Sequence, residues 1–155
     1  MRASICIVLP ILFTFACLLS ASAAHDASVE YCNKKADYPV KVKGVDINPY
    51  PISRGKEATF NISAYTGKGI AKGKLVVDVT YLIFHVYQET HDLCKKTTCP
   101  ISSGDFSISH GETLPVYTPP GSYTLQMKLL GEDDEELTCI TFGFSIGFLS
   151  SIADI

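Results

Sequence analysis

One stretch of the sequence, Gly143-Phe-Ser-Ile-Gly147, matches the pattern that surrounds the nucleophilic serine of many hydrolases. In those enzymes a carboxylate and then a histidine follow the serine along the chain, beyond a helix and further strands. Here the last histidine is His110, and ten residues follow Ser145. We therefore interpret the pattern as a strand that contains glycine, and we predict no catalytic residue and no enzymatic activity.

Two groups of side chains have the chemistry of metal ligands. His91, Cys94 and Cys99 are candidate zinc ligands, but the CxxC pairs typical of structural zinc sites are absent, and thiols oxidise in secreted proteins. The acidic run 132–136 lacks the spaced oxygen ligands and the central glycine of a calcium loop. We expect a solvated hairpin tip there, and we predict neither a metal site nor a cofactor.

The first residues have the three-part composition of a cleavable signal peptide. Arg2 supplies a positive charge, residues 5–19 are apolar, and residues 20–24 are small. A membrane anchor is the alternative, but fifteen residues interrupted by a proline are short for a span, which needs roughly twenty. We predict a signal peptide over residues 1–24, a single domain over residues 25–155, and passage through the secretory pathway to the cell exterior or a vacuolar lumen.

Six cysteines are present, of which two lie within the predicted signal peptide. An even number of cysteines in a small secreted domain indicates disulfides, and the remaining four allow three pairings. We favour the pairing in which Cys94–Cys99 closes a tight loop and Cys32–Cys139 ties the first segment of the domain to its last strand.

The formal charge is −3 for the whole sequence and −4 once Arg2 is removed, which is too acidic for a typical nucleic-acid-binding protein. The charge is unevenly distributed. Residues 25–75 contain nine Lys or Arg against five Asp or Glu, whereas residues 76–155 contain three against eleven. This asymmetry fits either two differently solvated faces or a basic rim that meets anionic headgroups. We predict no nucleic-acid partner.

Alternation of apolar and polar residues with a period of two predicts strands, and no sustained helical pattern occurs after the signal peptide. The apolar parity changes across Gly44, which indicates a β-bulge. In the next strand, residues 58–64, Asn61 of the glycosylation sequon Asn61-Ile-Ser63 falls on the polar side. We therefore expect a glycan on Asn61 to point to solvent.

The segment 72–87 has the highest strand propensity, and its pattern changes at Tyr81. Beyond Tyr81 both parities are apolar, which indicates either a bend that changes the buried face or a strand covered on both sides. Residues 114–117 are typical of an extended edge, and residues 131–136 of a hairpin tip. About seven short strands separated by turns predict a β-sandwich.

Several short motifs occur in a fixed order along the chain after the signal peptide. They are Tyr31-Cys32, Asp92-Leu-Cys94, Cys99-Pro100, Leu114-Pro115, a tyrosine-containing strand after Pro119-Pro-Gly121, and a cysteine in the last strand. Their order and cysteine spacing resemble the ML (lipid-recognition) domain over about residues 29–148. The amino-acid sequences of residues 91–94 and 117–123 most resemble its plant secreted branch. The family includes the Niemann–Pick sterol carrier and fungal phosphatidylglycerol/phosphatidylinositol transfer proteins.

The resemblance implies an all-β, immunoglobulin-like sandwich whose two antiparallel sheets separate along one edge around an apolar slot. The slot would hold one phospholipid or sterol with its headgroup at the rim, in a monomer that touches a membrane surface transiently. From strand parity, the candidate lining residues are Phe60, Ile62, Val77, Val79, Tyr81, Leu125, Met127, Phe142, Phe144 and Ile146. The candidate cations at the rim are Lys41, Lys43, Arg54 and Lys56.

Three functions remain open at this stage. A lipid carrier or sensor predicts that the purified protein contains lipid. An extracellular protein-interaction module, in which lipid only fills the core, predicts an exposed apolar patch or edge strand. A secreted hydrolase using Ser145 is the third, for which we expect Ser145→Ala to change nothing in an ester assay because we expect no activity. Composition does not distinguish a packed core from a slot, because inward-facing residues are apolar in both.

Overall fold

The computed structural model describes residues 24–148 and contains nine β-strands and one short 3-10 helix over that range. The strands are β1 (His25–Ala27), β2 (Val29–Tyr31), β3 (Val40–Asn48), β4 (Glu57–Thr66), β5 (Lys74–Tyr81), β6 (Phe84–Asp92), β7 (Gly104–Thr113), β8 (Gly121–Leu130) and β9 (Glu136–Ile146). The 3-10 helix, Leu93–Lys95, follows β6. Within residues 24–148 no helix is long and apolar enough to cross a membrane. The predicted signal peptide, apart from Ala24, lies outside the described residues.

The strands form two antiparallel sheets that pack face to face. The four-stranded sheet has the order β1-β3-β4-β7, and the five-stranded sheet has the order β2-β9-β8-β5-β6. Side chains alternate between core and solvent, as in β4, where Phe60 and Ile62 are buried while Asn61 and Ser63 are exposed. The predicted all-β sandwich is therefore confirmed, and the Asn61 side chain lies on the outer face of the four-stranded sheet.

The first two strands join the sheets along one edge of the sandwich. β1 pairs with β3 in the four-stranded sheet, whereas β2, one residue further on, pairs with β9 in the other. The Cys32–Cys139 disulfide then fixes the chain to β9, where the Cys32 amide also donates to the Cys139 carbonyl at 3.0 Å. The Val42 amide of β3 donates to the Tyr31 hydroxyl of β2 at 3.0 Å. Hydrogen bonds and a disulfide therefore close this edge.

The loop that follows β3 connects the sheets a second time. As predicted, the register of β3 shifts between Val42 and Gly44. The loop after β3 then crosses to the end of β9, where the Ile52 amide donates to the Ser145 carbonyl at 2.9 Å. The Gly147 amide donates back to the Ile52 carbonyl at 3.0 Å. The last residues of β9 are therefore attached to the four-stranded sheet through this loop.

The chain reverses direction after Tyr81, which neither alternative drawn from the sequence pattern predicts. Leu82, with a φ of 57°, and Ile83 form the turn between β5 and β6, and they are 75% and 82% exposed. Residues 84–90 of β6 are exposed, because β6 is the edge strand of its sheet and its inner face borders the gap between the sheets. The apolar run therefore marks a hairpin and an exposed edge, and it does not mark a change of buried face or a doubly covered strand.

Residues 114–117 also differ from the prediction, since they form a turn and not an extended edge. The Thr118 amide donates to the Pro115 carbonyl at 3.0 Å, and Val116 and Tyr117 are 69% and 83% exposed. Pro115 has no amide hydrogen to donate, so the segment does not extend the β7 ladder.

The opposite edge of the sandwich is only partly closed. Its two edge strands, β6 and β7, belong to different sheets and are joined by the loop that contains the Cys94–Cys99 disulfide. Both predicted disulfides are thus confirmed. The loop covers the middle of β7, where the Ser109 amide donates to the Lys96 carbonyl at 3.0 Å. Beyond Ser109, the last residues of β7 and the first residues of β6 border a gap between the sheets.

Candidate functional site

An apolar cavity of about 230 Å³ lies between the two sheets at this gap. Strands β4, β5, β8 and β9 form its walls, while β6, the end of β7 and the loop after β7 form its mouth. It is lined by Phe60, Val77, Val79, Val86, Tyr87, His110, Glu112, Thr113, Leu114, Pro115, Thr118, Tyr123, Leu125, Phe144 and Ile146.

Aromatic side chains fix one wall of the cavity. Phe60 of β4 meets Phe144 of β9 edge to face, with ring centroids 5.8 Å apart, and so joins the two sheets. The Tyr123 ring of β8 stacks on Phe144 at 5.4 Å. Burial raises the pKa of the Tyr123 hydroxyl, which donates to the Pro119 carbonyl at 2.7 Å. Because each ring is held by its neighbours, the wall presents a preformed apolar surface.

Nine of the ten residues proposed from strand parity lie at or directly beneath this cavity. The cavity itself is lined by Phe60, Val77, Val79, Leu125, Phe144 and Ile146. A void of about 10 Å³ beneath it is lined by Ile62, Met127 and Phe142 together with Phe60, Val77 and Leu125. Tyr81 lines neither space, since its ring stacks on Tyr123 at 4.6 Å and its hydroxyl donates to the Pro120 carbonyl at 3.4 Å.

Sequence reasoning missed the residues of the mouth, including His110 of β7, and it missed Tyr123 in the wall. Tyr123 and His110 share the inward parity of Leu125 and Ile108 on their strands, so alternation was sufficient to find both. Leu114 and the residues after it follow the end of a strand, where parity no longer predicts the direction of a side chain.

Two of the predicted rim cations lie near the mouth. The Arg54 guanidinium donates to the Thr118 carbonyl at 3.3 Å and to the Phe148 carbonyl at 3.2 Å. Thr118 lines the cavity, so these bonds place Arg54 beside it. Lys56 belongs to the same loop between β3 and β4.

The other two predicted rim cations lie at the start of β3, at the end of the sandwich away from the mouth, which we call the far end. Lys41 and Lys43 form ion pairs at 2.5 Å with Asp37 and Asp105, respectively. Lys41 is opposite Tyr65 of β4, which is five residues from Phe60 in the cavity wall, or roughly 17 Å along the strand. The structure therefore does not bring the four cations together.

Large apolar side chains around the mouth are exposed to solvent. They lie in the turn between β5 and β6, at the start of β6, in the loop after β7 and after β9, and their exposed fractions run from 63% to 83%. This set, the mouth cluster, comprises Leu82, Ile83, Phe84, Val116, Tyr117 and Phe148. Clusters of this kind mark surfaces that contact an apolar partner.

Two histidines meet across the partly open edge, below the mouth. The rings of His91 on β6 and His110 on β7 have centroids 4.7 Å apart. Within the described residues, His91 Nε2 and His110 Nδ1 are buried and accept or donate no hydrogen bond. Burial, the Lys96 ammonium and His91 lower the pKa of His110 from its ordinary 6.5 to about 4. The His110 ring is therefore neutral at pH 7.

The alternative chemistries suggested by the sequence are not assembled here. Ser145 lies within β9, as the strand interpretation predicted. Cys94 and Cys99 are joined to each other, and residues 24–148 contain no cluster of three His, Cys, Asp or Glu residues that could hold a metal ion.

Ion pairs at the far end of the sandwich account for part of the uneven charge distribution of the sequence. Basic residues before and in β5 form ion pairs with the acidic turn between β8 and β9. The pairs are Lys68–Glu135 at 3.5 Å, Lys72–Glu132 at 2.9 Å and Lys74–Asp134 at 2.9 Å. The predicted hairpin tip is thus a solvated ion-pair network.

Acidification is expected to destabilise the fold through His110. The folded protein binds this proton less readily than the unfolded chain, so unfolding becomes more favourable as the pH falls from 6.5 to about 4. The contribution is at most about 1.4 kcal/mol per pH unit. Urea unfolding of wild type and His110→Phe at pH 7 and pH 4.5 should show a smaller acid loss in the variant. The exposed His85→Gln is the control, and equal losses in all three proteins would contradict the assignment.

Comparison with known sequences gives matches over most of the chain. The family model for the ML domain matches residues 26–146. A putative phosphatidylglycerol/phosphatidylinositol transfer protein of Dictyostelium discoideum is 28% identical over 116 residues, which cover 72% of this chain and 80% of that protein. The phosphatidylglycerol/phosphatidylinositol transfer protein of Aspergillus oryzae is 31% identical over 118 residues, which cover 72% of this chain and 67% of that protein.

Solved structures agree on the fold. A Niemann-Pick type C2 protein from Japanese carpenter ant superposes with a TM-score of 0.61 at 17% identity, covering 77% of this chain and 99% of that one. Chicken MD-1, solved in complex with lipid IVa, gives a TM-score of 0.52 at 16% identity, covering 78% and 95%. Because the family model spans residues 26–146 of 155, this chain belongs to the ML-domain family.

Proposed function

We propose that this protein binds one lipid, a phospholipid or a sterol, in the cavity between its sheets and transfers it between membranes. The observation that carries the proposal is an almost entirely apolar cavity that opens at the partly closed edge of an ML-domain sandwich. Relatives that are named phosphatidylglycerol/phosphatidylinositol transfer proteins favour a phospholipid as the cargo.

Burial of hydrocarbon would drive binding. Each methylene that leaves water contributes about 0.8 kcal/mol, so an acyl chain gains many kcal/mol on entering the cavity. The cavity of about 230 Å³ is smaller than the roughly 300–1,000 Å³ typical of ligand sites. A long chain therefore requires the sheets to move apart, and the edge between β6 and β7, which is the less restrained of the two, is where we place that movement.

A charged headgroup would remain at the mouth. Arg54 is the cation whose bonds place it beside the cavity, and a guanidinium binds phosphate oxygens through charge-assisted hydrogen bonds. Thr113 offers a hydroxyl group at the same rim, whereas the Thr118 hydroxyl already donates to the Pro115 carbonyl at 2.7 Å. We therefore assign headgroup selection to Arg54 with Lys56, and we give Lys41 and Lys43 no part in it.

The mouth cluster would place the cavity against a membrane. Its six apolar side chains surround the route by which a lipid enters, and burying one of them in a bilayer contributes about 1.5–3 kcal/mol. The contact would be transient, because the cluster sits on turns and on a strand edge and not on a spanning element.

Two disulfides fit an oxidising compartment, and we propose the secretory pathway as the site of action. The signal peptide predicted over residues 1–24 would direct the chain there, and Asn61 would then carry a glycan. The exposed Asn61 side chain lies on the outer face of the four-stranded sheet, away from the cavity.

Filling the cavity should weaken lipid binding. Val79→Trp places a large ring in the cavity wall, and we expect binding of a fluorescent phosphatidylglycerol to weaken at least about tenfold, equivalent to about 1.4 kcal/mol. Thr124→Trp, on the exposed face of neighbouring β8, is the matched control and should bind like wild type. Unchanged binding by Val79→Trp in a folded protein would rule out this cavity as the lipid site.

Removing the cation at the mouth should reduce headgroup selectivity. Arg54→Gln is expected to lower the preference for phosphatidylglycerol over phosphatidylcholine by about tenfold, the effect of a lost charge-assisted hydrogen bond. Arg54→Lys should retain part of the preference. Lys43→Gln, at the far end, is the control, and a loss of preference in that variant would place the headgroup elsewhere.

Placing a charge in the mouth cluster should slow transfer without weakening lipid binding. Ile83→Asp is expected to reduce co-flotation with vesicles and the rate of lipid exchange by about tenfold, because an apolar side chain no longer enters the bilayer. Tyr65→Asp is the control, since Tyr65 is an exposed aromatic residue of β4 outside the cluster. Equal exchange rates in wild type and Ile83→Asp would contradict membrane contact through this turn.

A further inference from the structure

The contact between His91 and His110 is the place where the two sheets meet across the partly open edge. Above it, Val86, Tyr87 and Glu112 border the cavity, and below it the loop of the Cys94–Cys99 disulfide joins the strands. His110 lines both the cavity and the void beneath it. The ring pair therefore stands at the inner end of the gap that a lipid must widen.

Each histidine has a carboxylate on its own strand. Glu89 Oε2 lies 3.6 Å from His91 Nε2, and Glu112 Oε2 lies 3.6 Å from His110 Nε2. Two neutral rings can remain in contact, whereas two imidazolium rings with centroids 4.7 Å apart repel each other. Charged rings instead gain an ion pair within each strand. The ring contact across the edge therefore favours uncharged rings, whereas the carboxylate contact along each strand becomes an ion pair when the ring is charged.

The surroundings determine how these groups respond to acid. Lys96, in the loop between β6 and β7, opposes a charge on His110, and burial further lowers the pKa of that ring. Towards the core, the side chains that share the void with His110 come from β4, β5, β8 and β9 and are all apolar. On the other side, His91 borders a shallow depression whose charged residues are Lys72, Lys74, Asp92 and Glu132. Lys72 pairs with Glu132, and Lys74 with Asp134.

We propose that the His91–His110 contact is a proton-sensitive latch that holds the sheets together below the cavity and opens in acid, which releases the bound lipid. This inference rests on the proposed lipid binding. At neutral pH the latch keeps the gap narrow around the hydrocarbon. When both rings take up protons from solvent, they repel each other while Glu89 and Glu112 hold each ring on its own strand, β6 and β7 move apart, and the cavity loses its inner closure.

The test is the rate at which protein loaded at pH 7 with fluorescent phosphatidylglycerol releases it into excess phosphatidylcholine vesicles. We expect wild type to release the probe about tenfold faster or more at pH 4.5 than at pH 7. The pKa of His110 is about 4 in the closed arrangement, and each unit by which it rises on opening favours the protonated, open form by a factor of ten. His91→Phe/His110→Phe keeps two rings without the charge and should release equally at both values. His85→Gln, an exposed histidine of β6 paired with Asp78, should behave like wild type.

Two further measurements keep the result decisive. If the double variant does not fold, His91→Gln removes one of the two charges and should reduce the acid response. In lipid-free wild type, NMR cross-peaks between the two rings should be present at pH 7 and lost at pH 4.5. Cross-peaks that persist with both rings protonated, or equal release rates at the two pH values, would overturn the latch. No uptake of the probe at any pH, with cross-peaks that respond to acid, would overturn the proposed lipid binding alone.

Discussion

The segment from β1 to Cys32 contributes to both sheets, and this continuity is the constraint on which the rest of the sandwich depends. β1 and β2 are separated by one residue yet pair with strands of different sheets, so the sheets cannot separate along this edge. The Cys32–Cys139 disulfide reinforces that attachment. In the chain-entropy model a loop of about a hundred residues contributes up to about 4–5 kcal/mol.

The other edge has no such continuity, and the cavity follows from the difference. β6 and β7 are joined by the loop around Cys94–Cys99, which covers the middle of β7 and leaves its last residues beside the gap. A sandwich held at one edge can widen at the other, so its core need not be filled to the density of an ordinary interior. The Phe60–Phe144 contact sets the inner wall of the remaining space.

Charged and apolar side chains are segregated between the two ends of the sandwich. The acidic turn at residues 132–136 is paired with lysines at the far end, whereas the mouth is surrounded by exposed apolar side chains and by Arg54. In the proposed function, a surface organised in this way would orient the cavity towards an apolar phase and keep the other end in water. Three of the basic residues in the first half of the domain, Lys68, Lys72 and Lys74, are thus neutralised by ion pairs with the acidic turn.

The sequence by itself determined the elements that depend on neighbours along the chain. Alternation predicted the inward faces of β4, β8 and β9, the parity change predicted the bulge at Gly44, and the four cysteines outside the predicted signal peptide allowed the correct pairing to be favoured. Only the tertiary structure decided whether those inward faces fill a core or line a cavity. It also decided that the apolar run after Tyr81 forms an exposed hairpin, that the rim cations divide between two ends, and that His91 meets His110. These outcomes depend on how far apart the two sheets lie and on which of their edges coincide. Residues distant in the chain determine both through packing, which no local pattern encodes.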